Sequence, residues 1–213
     1  MLEPIFIQAL DAFSDDYKTL CKHHYPAIHN RGMSPVHLSA AFHRRLGSLI
    51  ERENKTMDCS LFHHDAIRQN YIYSALIDEQ KVWFIYPSFI NAKTEAKTQL
   101  LLEIKQLKDN HNLQNGDYVA ILCDHWFDRT RSSKTLYYWW TGMLPINEKR
   151  FNLQGIQNLE MNDAPDFSAT IKDEFQLACI NRSIYHPLEA NKQHALLKYF
   201  LCFGLFQYHT QSV

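Results

Sequence analysis

Two aromatic, branched runs separated by four polar residues constrain this chain more than any other stretch. NYIYSALI (70–77) and VWFIYPSF (82–89) flank DEQK, and the pattern predicts a β-hairpin. The second run breaks at a proline and leads toward a helix, since Leu100, Ile104 and Leu107 mark one face of the segment from Thr94 to Asn110. NLQNGD (112–117) stops that helix, with Gly116 free to take positive φ. DYVAILCDHWF (117–127) reads as a third strand, buried on both faces over its first half, and TLYYWWTGMLP (135–145) as a fourth.

Helical signals precede the hairpin. Leu2, Ile5, Phe6, Ala9, Leu10, Phe13 and Tyr17 form one apolar stripe. A second helix starts at Ser34 as cap with Pro35 in the first turn, and its stripe runs Leu38, Ala41, Phe42, Leu46, Leu49. Residues 146–165 read as a surface loop with a short element and 168–183 as helix. A last helix is predicted from Pro187, with Leu188, Ala195, Leu196, Tyr199, Phe200, Phe203 and Phe206 on a wide apolar face that the rest of the chain or a partner must cover.

With 213 residues, 46% of them apolar, the chain can bury a sizeable core and suits one domain, 1–213. The order helix, hairpin, helix, strand, strand predicts an α/β fold, a mixed central sheet with helices on both faces and further helices at the C-terminus. Lysine and arginine number 22 against 23 acids, so any contact with nucleic acid has to come from a local basic patch. Apolar stretches such as 196–208 are too short for a transmembrane helix, and the N-terminal MLEPIFIQALDAF lacks the basic start of a signal peptide, which points to the cytoplasm. Five widely spaced cysteines without a CxxC pair read as reduced thiols.

RGMSPVHLSAAFHRRLGSLIERE, NYIYSALIDEQKVWFIYPSF, TEAKTQLLLEIKQLKDN and GDYVAILCDHW, taken together, resemble the core of the PD-(D/E)xK nuclease superfamily, the restriction-endonuclease-like fold. The resemblance covers roughly residues 34–127 and lies in layout and hydrophobic pattern. It implies a nuclease-like core over about 34–145, with a helical C-terminal extension over about 166–213, and a setting in bacterial DNA processing or defence. It also implies an acid on the first hairpin strand and an ExK triplet on the second, which hold a divalent ion that activates water. Those positions fall on Tyr73 and on Tyr86, Pro87 and Ser88. All are neutral, and a tyrosine does not replace a carboxylate for Mg²⁺ near neutral pH. The motif is therefore degenerate, and neither metal nor cofactor is expected.

Other acids offer an alternative, an active Mg²⁺- or Mn²⁺-dependent nuclease with relocated carboxylates. Glu51, Asp65 and Asp124 are the candidate set, with Glu53, Asp78 and Glu79 behind them. His63 and His64 are adjacent on a strand and point to opposite faces, so at most one serves any site. Cys21, His23, His24 and His29 lack a second matching pair for zinc, and Cys123 with His125 reads as structural. For nucleic acid, the rings of Tyr137, Tyr138, Trp139 and Trp140 are candidate stacking groups beside Arg129, Arg131 and Lys134. Arg44, Arg45 and Arg52 form a second basic patch. The expectation is a binding protein for nucleic acid or for a protein partner or second copy through the C-terminal helix, without membrane contact. A further alternative is an interaction subunit with no nucleic-acid role.

Overall fold

A computed structural model describes residues 2–31, 33–65, 70–88, 94–110, 112–127, 131–156, 159–161, 165–191 and 194–210, without the side chains of 20–31, 131–132 and 190–191. Among the described residues, six α-helices accompany a six-stranded mixed sheet. The helices are α1 (Glu3–Arg31), α2 (Pro35–Arg52), α3 (Thr94–Asp109), α4 (Leu136–Thr141), α5 (Glu148–Leu153) and α6 (Phe167–Phe175). The sheet is built from β1 (Met57–Asp65), β2 (Asn70–Ile77), β3 (Gln80–Tyr86), β4 (Tyr118–Trp126), β5 (Leu177–Tyr185) and β8 (Tyr199–Tyr208). Its order is β1-β2-β3-β4-β8-β5, antiparallel except where β3 runs parallel to β4. Two short strands, β6 (Glu189–Asn191) and β7 (His194–Ala195), pair outside it.

The hairpin forms as the sequence predicts. Tyr71 pairs with Tyr86 and Ile77 with Gln80, and Asp78 takes φ +50° in the turn. The α3 crossover then carries the chain to a parallel β4. Both N-terminal helices lie on one face. Phe6, Leu10, Phe13 and Tyr17 of α1 and Leu38, Phe42, Leu46 and Ile50 of α2 pack with Val82, Phe84, Leu122 and Phe203. Ser34 stands at the start of α2 in extended conformation, but its hydroxyl meets His37 Nδ1 (3.0 Å) and caps no backbone amide. The other face is covered by α3, α4 and α6 through Leu100, Ile104, Trp140, Phe167 and Ile171.

Several expectations are corrected. Residues 135–145 are not a strand, because Leu136, Trp139 and Trp140 have the i, i+3, i+4 spacing of a helical stripe and enter the core from α4, which Gly142 ends at φ +73°. Of 168–183, only the first half is helix; Gln176 takes the left-handed conformation and β5 follows. The last predicted helix is absent. Tyr199–Tyr208 is the strand between β4 and β5, with every residue from Tyr199 to Phe206 buried. A continuous apolar run fits a strand buried on both faces as well as a helix, and period alone does not separate them. The helical extension expected over 166–213 thus resolves into α6 and strands of the same sheet. With the C-terminal helix goes the docking face assigned to it. No described helix is long and apolar enough to cross a membrane.

Candidate functional site

The positions singled out on the hairpin meet under α2. Tyr73 and Tyr86 stand diagonally on adjacent strands, with ring centroids 5.8 Å apart. Ser39 and His43, one helical turn apart on α2, face them. The Tyr86 hydroxyl lies 2.8 Å from His43 Nε2, and Ser39 Oγ lies 3.2 Å from the Tyr73 hydroxyl and 2.9 Å from the Val36 carbonyl oxygen. The rings of Phe84, Tyr73 and Tyr86 meet the His43 ring edge-on at 4.7, 4.9 and 5.4 Å. Cys59 Sγ, from β1, is 3.8 Å from His43 Nδ1.

Burial sets the charge of this cluster. It lowers the His43 pKa from 6.5 to about 4 and pushes the Cys59 thiol up to about 11, and it raises the Tyr86 hydroxyl well above its usual 10. All three are neutral near pH 7. Ser88 lies just past the strand, where its backbone N–H donates to Asn70 Oδ1 (2.9 Å). A hard cation seeks several oxygen ligands, mostly carboxylate, and β2 and β3 carry no carboxylate.

The three candidate carboxylates do not converge. Asp124, in β4, faces the junction of α1 and α2, where its Oδ2 accepts from the Met33 backbone N–H (2.7 Å) and the Tyr199 hydroxyl (2.7 Å). The same hydroxyl meets that of Tyr17 at 2.8 Å. Burial pushes the Asp124 carboxyl up to about 6 against these bonds. Asp65 is on the opposite face, paired with Asn70 at the far end of β1, and its charge acts on Glu103 of α3. Glu51 sits at the end of α2 beside Met57, whose partner Ile77 is at the hairpin-turn end of the sheet. Among the described residues no group of three or more His, Cys, Asp or Glu is placed to hold a metal ion.

Glu103 is a buried acid that sequence reasoning missed. Its Oε1 accepts from Asn70 Nδ2 (2.5 Å) and Gln99 Nε2 (3.2 Å), and among the described residues Oε2 has no hydrogen-bond partner. Desolvation raises its pKa. The signal was present, for Leu100, Glu103, Ile104 and Leu107 share one stripe of α3. His43 was missed too, although Ser39, His43 and Leu46 follow one face of α2. His63 and His64 point apart: the charge of His63 acts on Glu103, while His64 stacks on Tyr71 at 4.2 Å. His125 is buried with Nε2 2.7 Å from Ser133 Oγ, and Cys123 lies opposite Cys202 in the ladder.

The basic candidates are dispersed. Arg129 and the Arg131 side chain lie outside the described residues. Lys134 pairs with Glu160 at 2.9 Å, and Arg45 with Asp16 of α1. Arg44 lines a cavity of about 470 Å³ with Glu51, His43 and Cys59. Trp139 and Trp140 belong to the core, Trp140 stacked on Phe167 at 5.0 Å, and Tyr137 and Tyr138 are half-buried. The four rings form no exposed platform. Comparison with protein-family models, with curated proteins and with solved structures returned no match to this chain.

Proposed function

We propose that this chain is a catalytically degenerate nuclease-like protein that acts by binding nucleic acid, in bacterial DNA processing or defence. The observation that carries the reading is the neutral Ser39–Tyr73–His43–Tyr86 cluster, which occupies the hairpin positions where the resemblance implies metal-binding acids. Its polar groups are already bonded in two pairs, Ser39 with Tyr73 and His43 with Tyr86, so an incoming ion would have to break them without meeting a charge. The parallel β3–α3–β4 unit beside an antiparallel β1–β2–β3 edge also suits the layout implied by the resemblance.

Of the candidate cations, Arg44, Arg45 and Lys134 are offered to a phosphate backbone. The ion pairs of Arg45 and Lys134 are solvent-exposed and worth about 0–1 kcal/mol each, so phosphate can displace the carboxylates. Fluorescence anisotropy with single- and double-stranded DNA over a salt series tests the reading. Binding should weaken as salt rises, and replacing the three cations with alanine should lower affinity and flatten the salt slope. Absence of binding at low salt would overturn nucleic acid as the ligand and favour a protein partner, for which Leu61 and Phe62 on the edge strand β1 are exposed. Cleavage of DNA with Mn²⁺ would overturn degeneracy.

A further inference from the structure

We propose that two copies of this chain join their sheets edge to edge through β1, pairing Met57–Leu61 antiparallel about Cys59, with the two α2 helices side by side above the seam. The inference goes beyond the nucleic-acid reading and does not depend on it.

The edge itself calls for a neighbour. β1 ends the sheet, and among the described residues no strand pairs with its outer side. Such a strand offers a row of unpaired N–H and C=O groups, which proteins that stay apart commonly guard with lysine or proline. β1, MDCSLFHHD, carries neither. Its residues Ser60–His64 are all exposed, Leu61 at 53% and Phe62 at 49%, whereas β5 at the other edge exposes only Cys179. Leu61 follows Cys59 on the α2 face, and Phe62 meets Trp83 of the opposite face. Apolar side chains bared on both faces suit a continued sheet, which gives each face a neighbour; a helix laid on one face would leave the other bare.

Register and charge name the neighbour as a second copy. The irregularity between Leu61 and His63 turns the later side chains over, so a regular ladder uses Met57–Leu61 alone. Centred on Cys59, that stretch is complementary to itself. Met57 falls opposite Leu61 of the second copy and Cys59 opposite Cys59 on the α2 face, while on the other face the Ser60 hydroxyl donates to Asp58. A two-fold axis makes each of the unlike contacts twice. Above the seam, Arg44, Gly47 and Glu51 of α2 line the open cavity beside Met57 and Cys59. An α2 lying antiparallel to its copy about Gly47 and Ser48 sets Arg44 opposite Glu51 of the second copy, and Glu51 opposite Arg44. Gly47, whose absent Cβ would meet nothing within 4 Å, leaves room for that approach.

Sedimentation velocity of the reduced chain over a concentration series, without nucleic acid, tests the dimer separately from DNA binding. The expected result is a concentration-dependent dimer. Leu61→Lys, at an exposed position, should weaken it about tenfold or more. Arg44→Glu should weaken it several-fold, and adding Glu51→Arg should restore it. In this register the two Cys59 Cα atoms stand about 4.5–5.5 Å apart, within disulfide reach. Oxidation by copper–phenanthroline, with Cys21 and Cys179 replaced by serine, should therefore give a reducible dimer that peptide mass assigns to Cys59 joined to Cys59. A monomer at concentrations up to about 1 mM overturns the proposal, as does a dimer that Leu61→Lys leaves unchanged. Should Leu61→Lys fail to fold, the cross-link decides: a dimer in which Cys59 does not join Cys59 overturns the seam.

Discussion

Asp124 and Glu103 are both acids drawn into the interior, on opposite faces of one sheet, and they are treated differently. Asp124 bonds a strand residue and the backbone that joins α1 to α2, so its oxygen ties two layers of the fold together. Among the described residues, Glu103 bonds only amide side chains on one oxygen and leaves the other without a hydrogen bond. A buried acid with two well-placed donors is a joint, whereas one with an orphan oxygen carries a desolvation cost that nothing nearby fully offsets. Neither arrangement resembles a metal centre, which would need several acids turned toward one point.

The joint should break most visibly. Asp124→Ala leaves the Met33 N–H and the Tyr199 hydroxyl without their acceptor and is expected to lose about 2–4 kcal/mol in urea unfolding at pH 7, at about 1–3 kcal/mol per unsatisfied group. Asp124→Asn, which keeps an acceptor oxygen, should retain most of the stability. If Glu103→Ala cost more than Asp124→Ala, the contrast between the two acids would be reversed.

Next in size is a pH effect. The folded state holds the Asp124 proton more tightly than an ordinary carboxyl near 3.8, with its pKa pushed up to about 6. Stability from this group is full below about pH 4 and is lost as pH rises through about 6, a fall of roughly 1–3 kcal/mol. Glu103 acts in the same direction. Asp124→Asn should flatten the profile of stability between pH 4 and 6, measured by chemical unfolding at each pH. An unchanged slope would mean that Asp124 is ionised through that whole range.

The neutral cluster under α2 makes a smaller demand. Tyr86→Phe removes the partner of the buried His43 Nε2 and should cost about 1–2 kcal/mol. Tyr73→Phe should cost less, because Ser39 retains the Val36 carbonyl oxygen at 2.9 Å. Equal losses would indicate that packing of the rings, rather than the hydroxyl contacts, holds the cluster.

What the sequence disclosed follows the same division between pattern and partner. The hairpin, α3 and β4 were legible because their periods are clean and their stops carry Asp78 and Gly116 at positive φ. Residues 199–208 were not, because an unbroken apolar run is satisfied equally by a helix in a core and by a strand between two others. Gly204 marks the difference in retrospect: a Cβ there would stand 2.6 Å from the Phe206 ring and 3.3 Å from Trp140, a close approach that a strand beside α4 imposes. The aromatic run at 136–140 misled for the opposite reason. Its residues favour strands, yet tertiary packing claimed the i, i+3, i+4 set for a helix. Of the site, Tyr73 and Tyr86 stand out in the sequence as aromatic hairpin positions, while His43 and Glu103 needed the fold to reveal what they touch.

The finest test of the contrast is Glu103→Gln. The amide oxygen can still accept from Asn70 and Gln99, and the buried charge is gone. In place of an orphan oxygen stands an orphan N–H₂, which costs about 1–3 kcal/mol by itself. These two changes oppose each other, so the variant should lie within about 1 kcal/mol of wild type at pH 7 and fall progressively behind it as pH drops, where wild-type Glu103 becomes neutral as well. Measured against Asp124→Asn across the same pH range, it isolates the bare oxygen. A loss above about 2 kcal/mol at pH 7 would show that the Glu103 charge is held by the surrounding field, and the two acids would then be joints of the same kind.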